Sequence, residues 1–188
     1  LVMKLTGEAS TTASSLSEGI LWDYIDDEPA ARLMDHFGFP KEIIPPVTGS
    51  VAPQGGLSAE AARDLGLRAG TPVTYRSGDQ QNNAFALNVL YPGEVAAKAG
   101  TSGVVYGISK RPVSDPRFRM NTFLHVNHSK QNPRYGILHC VNGAGTLTKW
   151  LRENILHMRK NEADYSEINR RFARAAAGAD GLLILPFG

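Results

Sequence analysis

The sequence has few of the features that mark secreted, membrane-spanning or nucleic-acid-binding proteins. It contains a single cysteine, so no internal disulfide can form. No apolar run approaches the roughly 18 residues of a membrane-spanning helix, and no signal-peptide pattern opens the chain. The 20 basic and 18 acidic residues nearly balance, and scattered basic residues argue against nucleic acid as the main partner. We therefore expect a cytoplasmic protein with no membrane and no nucleic-acid partner.

Clusters of metal ligands are also missing from the sequence. His125 and His128 are three residues apart in a segment that looks extended, which would place them on opposite faces. No cysteine or carboxylate lies at ligand spacing from them, so we predict no metal site on protein side chains. Cys140 lies in an apolar stretch, and we expect it to be a small core residue.

The remaining pattern is that of an α/β protein with many loops. Apolar residues make up 42% of the 188 positions, which is enough for a core. Residues 6–18 are rich in Ser, Thr and Gly and predict a loop. Helical periodicity predicts helices over 29–37, 59–65, 84–90, 146–158 and 165–176. Short apolar runs predict strands over 70–76, 94–100, 104–110, 135–141 and 182–185.

A polar segment follows the predicted strand at 70–76. Asp79 comes directly after a glycine, at the end of a strand, where α/β sheets place ligand-binding residues. Two interpretations stay open: Asp79 caps the next helix, or it is a catalytic or binding carboxylate. Four amides follow it, which suit a polyhydroxylated ligand or form a solvated first turn. They are Gln80, Gln81, Asn82 and Asn83.

Two glycine-containing segments further along the chain are candidates for phosphate binding. Gly100-Thr101-Ser102-Gly103 separates two predicted strands, and such a tip can point several backbone N–H groups at one anion. An ordinary hairpin turn has the same composition. Gly143-Ala144-Gly145 precedes an amphipathic helix, and a glycine-rich turn at a helix N-terminus suits a phosphate. It lacks the third glycine of a dinucleotide fingerprint, and the sequence has no P-loop pattern.

These three segments occur in one order, which is more specific than any one of them. Together they resemble the FGGY family of carbohydrate kinases, which phosphorylate sugars and polyols with ATP. "SGDQQNNAFAL" is similar to the family's Gly-Asp-Gln/Asn segment, "AGTSGVVYGIS" to its phosphate hairpin, and "NGAGTLTKWLRENI" to its nucleotide-side helix. The upstream "TGEASTTASSLSEGILWDY" and the closing "GLLILPFG" resemble further family segments. The resemblance therefore covers nearly the whole chain.

The resemblance implies an α/β fold of the ribonuclease-H-like, actin-like ATPase type, with two domains around a cleft. Residues 1–93 would be the C-terminal part of the N-terminal, sugar-binding domain. Residues 94–188 would be the first part of the C-terminal, nucleotide-binding domain. The chain would then be a central piece of a longer enzyme, and we expect little or no turnover from it alone. The family's Asp-x-Gly-Thr phosphate turn and further adenine contacts would lie outside it.

The resemblance also implies a role for particular residues. Asp79 would be the general base and a substrate ligand, and Gln80 would hold a neighbouring hydroxyl. The implied ATP-binding residues are Gly100, Thr101, Ser102, Gly103, Gly145 and Lys149. Glycerol kinases have a glutamine at the position of Lys149. ATP and Mg²⁺ would be the cofactors, with the metal bridging phosphates largely through water.

Among family members, the resemblance is greatest to xylulose kinases. It implies phosphorylation of D-xylulose to D-xylulose 5-phosphate. Kinases for glycerol, ribulose or gluconate are alternatives, as is a non-catalytic actin-like relative that binds sugar or nucleotide. The expected partners are a small sugar and ATP, and a homodimer stays open.

Overall fold

The computed structural model describes residues 1–158 and 165–185. Its α-helices are α1 Val2–Thr6, α2 Ala13–Glu18, α3 Ala31–Phe37, α4 Ala59–Leu65, α5 Asp79–Ala86, α6 Ala144–Trp150 and α7 Tyr165–Phe172. Its strands are β1 Thr11–Thr12, β2 Trp22–Asp23, β3 Glu28–Pro29, β4 Val47–Thr48, β5 Val95–Ala99, β6 Gly103–Ser109, β7 Asn121–Leu124 and β8 Tyr135–Val141. Within these described ranges, no helix combines the length and apolar character needed to cross a membrane.

The chain divides into two compact units. Unit 1 comprises residues 1–96 and 106–138, and unit 2 comprises residues 97–105 together with the chain from His139 onward. The main sheet has the strand order β5-β6-β8-β7. Its strands confirm the predictions over 94–100, 104–110 and 135–141.

Sheet register is clearest in unit 1, where β7 pairs antiparallel with β8. Asn121 lies opposite Leu138, and Leu124 lies opposite Tyr135. Side chains along β6 alternate between buried and exposed, as expected when one face of a strand packs on the core. Among the buried side chains, Tyr106 of β6 is 2% exposed and Leu124 of β7 is 1% exposed.

The segment 6–18, which we predicted as a loop, forms β1 and α2 instead. Its hydroxyl groups explain the difference, because they satisfy backbone and side-chain partners inside the fold. Thr12 caps α2 by accepting a hydrogen bond from the Ser15 N–H at 3.1 Å. The Ser17 hydroxyl donates to the Ser14 carbonyl at 2.6 Å and accepts from the Leu124 N–H at 2.9 Å. The predicted loop residues therefore tie α2 to β7.

Two predicted helices of unit 1 are confirmed with small shifts. Ser58 caps α4 by accepting from the Ala61 N–H at 3.1 Å, and Gly66 ends the helix with φ of 66°. Helix α3 begins at Ala31, because Pro29 pairs in β3 instead of opening the helix. It ends as predicted at Gly38, whose φ is 68°.

Two predicted strands are wrong. Residues 70–76 form only isolated bridges, Val51 with Tyr75 and Gly56 with Pro72. Pro72 has no N–H to donate, which limits a continuous ladder there. Residues 182–185 have no strand beside them in the described part of the chain, and Leu183 is 89% exposed. An apolar run becomes a strand only when a partner supplies its hydrogen bonds.

Unit 2 also corrects three details. Cys140 is exposed and donates weakly to the Asn142 side-chain oxygen at 3.3 Å, so it is no core residue. The predicted helix at 146–158 is α6 followed by a π-helical turn, Leu151–Ile155. Helix α7 ends at Phe172, short of the predicted residue 176.

A buried histidine lies beside the β6 core of unit 1. His125 is 1% exposed, and its Nδ1 lies 3.1 Å from the Tyr106 hydroxyl. Burial lowers the pKa of His125 to about 4, and the charge of Arg134 acts in the same direction. The folded protein therefore holds this imidazole neutral near pH 7.

This burial predicts a loss of stability in acid. Folding lowers the pKa of His125 to about 4 from an unfolded value of about 6.5. The contribution of the neutral imidazole to the free energy of unfolding is therefore complete above pH 6.5 and is lost as the pH falls towards 4. The loss should be on the order of 3 kcal/mol. We expect His125→Gln to make the free energy of unfolding in urea, measured on the full-length protein, depend less steeply on pH across this range. The matched change at exposed His36 should leave the slope unaltered, and an equal slope in both variants would contradict the assignment.

Candidate active site

Asp79 is the first residue of α5 and is exposed to solvent. Gly78 occupies the N-cap position, and it has no side chain to cap the helix. The helix thus begins at Asp79, not at residue 84 as predicted, and the interpretation of Asp79 as its cap is wrong. Asp79 Oδ2 accepts a hydrogen bond from Gln80 Nε2 at 2.9 Å. An exposed carboxylate at the positive end of a helix is accessible to a small ligand.

The amides after Asp79 have different surroundings. Asn82 accepts a hydrogen bond from the Tyr75 hydroxyl at 2.9 Å, and the Tyr75 ring stacks on Phe85 at 5.8 Å between centroids. Gln81 is 0% exposed, and neither atom of its amide has a hydrogen-bond partner in the described part of the chain. These amides do form the first turn of α5, as predicted, but Gln81 is buried and not solvated.

Glu18, the last residue of α2, is an acidic group of this site that the sequence did not reveal. Its carboxylate occupies the space beside Gly78, since a Cβ built on that glycine would lie 1.8 Å from Glu18 Oε1. Burial raises the pKa of Glu18, and the negative charge of Asp79 raises it further. The nearby Gln81 amide lowers the pKa of Glu18, although their geometry falls short of a formed hydrogen bond. The glycine before Asp79 was the one sequence signal of a close neighbour.

The predicted hairpin at Gly100–Gly103 joins β5 to β6 in the sheet. The Gly100 N–H donates to the Ser102 carbonyl across the tip at 3.0 Å. Thr101 is exposed, while Ser102 and Gly103 are half-buried. The hairpin geometry is therefore confirmed, and its exposed end carries a hydroxyl.

The turn at Gly143-Ala144-Gly145 packs directly on this hairpin within unit 2. The Gly145 N–H donates to the carbonyls of Gly100 and Thr101, each at 3.0 Å, and the Thr146 N–H donates to Thr101 at 3.2 Å. A Cβ on Gly145 would lie 2.2 Å from the Gly100 carbonyl oxygen. The first N–H groups of α6 thus hold the hairpin, and Gly145 permits the close approach.

The predicted site residues fall into two groups. Asp79 and Gln80 lie together in unit 1, and Gly145 lies with the hairpin residues in unit 2. Lys149 is an exposed residue in the last turn of α6. Within the described ranges, no group of three or more His, Cys, Asp or Glu residues could hold a metal ion.

Comparison with known protein families finds a match in the first part of the chain. Residues 1–86 match the N-terminal domain of the FGGY family of carbohydrate kinases. These 86 residues are slightly under half of the 188-residue chain. The FGGY resemblance seen in the sequence is thereby confirmed.

Similar proteins extend the FGGY likeness along the chain. An autoinducer-2 kinase from Yersinia enterocolitica serotype O:8 / biotype 1B is 29% identical across 97% of this chain and 35% of its own length. The xylulose kinase structure from Rhodospirillum rubrum is 30% identical, with a TM-score of 0.81 over 98% of this chain and 36% of that one. A gluconate kinase from Lactobacillus acidophilus shares the fold, with a TM-score of 0.83 at 20% identity over 98% of this chain and 36% of its own.

These comparisons confirm the predicted fold class for the part of the fold that the chain covers. The matching structures are sugar kinases of the FGGY family, which have the actin-like ATPase fold. The chain spans about a third of the length of the curated relatives that it matches, 35% for the Yersinia autoinducer-2 kinases.

The contact between Gly145 and the hairpin predicts a glycine requirement. We expect Gly145→Ala to destabilise the full-length protein by about 1–3 kcal/mol, because the new methyl group overlaps a backbone carbonyl that cannot rotate away. The control is Gly107→Ala in β6, where the nearest atom to an added Cβ lies 3.6 Å away. Thermal unfolding should separate the two variants, and equal stability would show that the hairpin is not held as described.

Proposed function

We propose that the full-length protein is a carbohydrate kinase that transfers the γ-phosphate of ATP to a hydroxyl of a small sugar, with D-xylulose as the first candidate acceptor. The observation that carries the proposal is the exposed carboxylate of Asp79, which opens α5 directly after Gly78. It lies inside residues 1–86, the range that matches the FGGY N-terminal domain. A pure binding protein needs no such base.

On the acceptor side, Asp79 would orient the attacking hydroxyl and accept its proton. A sugar hydroxyl is a weak nucleophile near pH 7, and a positioned general base contributes roughly 10²–10⁴ in rate. Gln80 already donates its amide N–H to Asp79, so its carbonyl oxygen is the group that would accept from a neighbouring hydroxyl. This arrangement would fix the acceptor at two adjacent positions.

On the phosphate side, we assign the binding of the ATP phosphates to the hairpin of unit 2. Phosphoryl transfer needs a held γ-phosphate and neutralised charge more than covalent chemistry. The hydroxyls of Thr101 and Ser102 would contact the phosphates, and Gly100 and Gly103, which carry no side chains, would let the phosphates approach the hairpin closely. Gly145 supports them by bonding to the hairpin carbonyls, and Lys149 would add a positive charge on the nucleotide side.

Mg²⁺ bound to the nucleotide would neutralise phosphate charge when present. The described residues offer no group of three ligands for a resident ion, and the metal would arrive with the nucleotide.

Residues 1–93 would be the sugar-binding part of the protein, and residues 94–188 would be the nucleotide-binding part. The family match over 1–86 supports the first assignment. A cytoplasmic location is proposed as well, and a single cysteine agrees with it.

The identity of the acceptor sugar is the most specific claim of the proposal. A xylulose kinase at 30% identity supports D-xylulose, whereas an autoinducer-2 kinase at 29% identity makes autoinducer-2 the second candidate. A coupled assay of ATP consumption with D-xylulose, ribulose, glycerol, gluconate and autoinducer-2 would rank them by kcat/KM. Nucleotide binding without acceptor-dependent turnover would instead favour a non-catalytic relative.

The base assignment predicts the effect of removing one charge. We expect Asp79→Asn in the full-length protein to fold normally and to lose at least 100-fold in acceptor-dependent ATP consumption, because the amide cannot accept the proton. Asp64→Asn on exposed α4 is the matched control and should keep full activity. Activity of the Asp79→Asn variant within tenfold of wild type would show that Asp79 is not the general base.

The hairpin assignment predicts a different kinetic change. Thr101→Ala should raise the KM for ATP about tenfold or more, with little change in the acceptor KM, because only a phosphate contact is lost. Steady-state kinetics with each substrate varied in turn provides the measurement. A variant in which only the acceptor KM changes would show that the hairpin does not hold phosphate.

A further inference from the structure

The carboxylate of Glu18 fills the place where a side chain at position 78 would be. An ideal Cβ on Gly78 would lie 1.8 Å from Glu18 Oε1 and 2.2 Å from both Cδ and Oε2. All three carboxylate atoms therefore lie against the backbone of the residue that precedes Asp79. The backbone of Gly78 is ordinary, with φ of −69° and ψ of 165°, so strain does not require glycine there. An added methyl group would have to push aside the carboxylate, which is the far end of the flexible Glu18 side chain.

A second, independent observation points to the same spot. Gln81 lies three residues after Gly78, in the same turn of α5, and its side chain is 0% exposed. Neither of its amide atoms has a hydrogen-bond partner in the described part of the chain. Buried amides are almost always paired, so an unpaired one needs an explanation. Glu18 is the charged group that the Gln81 amide influences.

We propose that Glu18 is a positioning residue for Asp79. Its carboxylate contacts the residue before Asp79, and it lies beside the buried amide two residues after it, so it fixes the backbone from both sides. This inference rests on the proposed function, in which Asp79 is the base. Glu18 acts on the acceptor only through Asp79, and the hydroxyls of Thr12 and Ser17 hold its helix in place.

The arrangement has an electrostatic cost that a merely structural contact would not carry. Two carboxylates stand close together, and the charge of Asp79 raises the pKa of Glu18. The positive end of α5, which no side chain caps, favours negative charge at this place. The helix end offsets part of the repulsion, and the shape of the side chain is what the contact with Gly78 uses.

The steric contact allows a double-mutant test in the full-length protein. We expect Gly78→Ala to lower kcat about tenfold with the KM for ATP within twofold, because the methyl group displaces Glu18. Glu18→Ala should lower kcat about tenfold. In the Glu18→Ala background, Gly78→Ala should cost less than threefold further, since the obstacle is gone. Glu18→Gln, which keeps the shape, should retain kcat within threefold of wild type.

Glu18→Asp provides a variant with little risk of misfolding. It withdraws the carboxylate from Gly78 by one methylene group, and we expect about a fivefold loss in kcat with Tm within 2 °C of wild type. Wild-type kcat in this variant would overturn the inference, as would equal losses from Gly78→Ala in both backgrounds. A wild-type protein inactive with every acceptor would instead overturn the proposed function, and the positioning role with it. Activity with no coupling between positions 18 and 78 would overturn the positioning role alone.

Discussion

Close approach at two glycines sets where the candidate site residues of this protein lie. In unit 1, the missing side chain of Gly78 admits the Glu18 carboxylate beside the first turn of α5. In unit 2, the missing side chain of Gly145 lets α6 bond to the carbonyls of the 100–103 hairpin. Each contact removes freedom from a segment that would otherwise be an exposed turn. Preorganisation of this kind is what phosphoryl transfer asks of a protein, because positioning contributes most of the catalysis.

The sequence predicted those parts of the fold that local chemistry determines. The cap at Ser58, the terminating Gly38 and Gly66, and the hairpin at 100–103 all follow from short-range rules. The strands at 70–76 and 182–185 were wrong because pairing depends on a distant partner. The prediction of a loop over residues 6–18 was wrong because serine and threonine occur equally in loops and in buried helix caps.

The site shows the same division between local and distant information. Asp79 and the hairpin could be proposed as site residues because a family order links short motifs. Glu18 could not, because its contact with Gly78 joins residues from separate helices. Nor could the sequence show that Gln81 is buried while its neighbour Asn82 is exposed. Helical geometry alone places both in the first turn of α5, and tertiary contacts decide which of them is buried.

The most direct test of the central claim is a crystal structure of the full-length protein with D-xylulose and a non-hydrolysable ATP analogue. The account predicts an acceptor hydroxyl within about 2.6–3.2 Å of the Asp79 carboxylate, with the terminal phosphates on the hairpin that carries Thr101. A sugar held without any hydroxyl near Asp79 would contradict it, as would phosphates bound away from the hairpin.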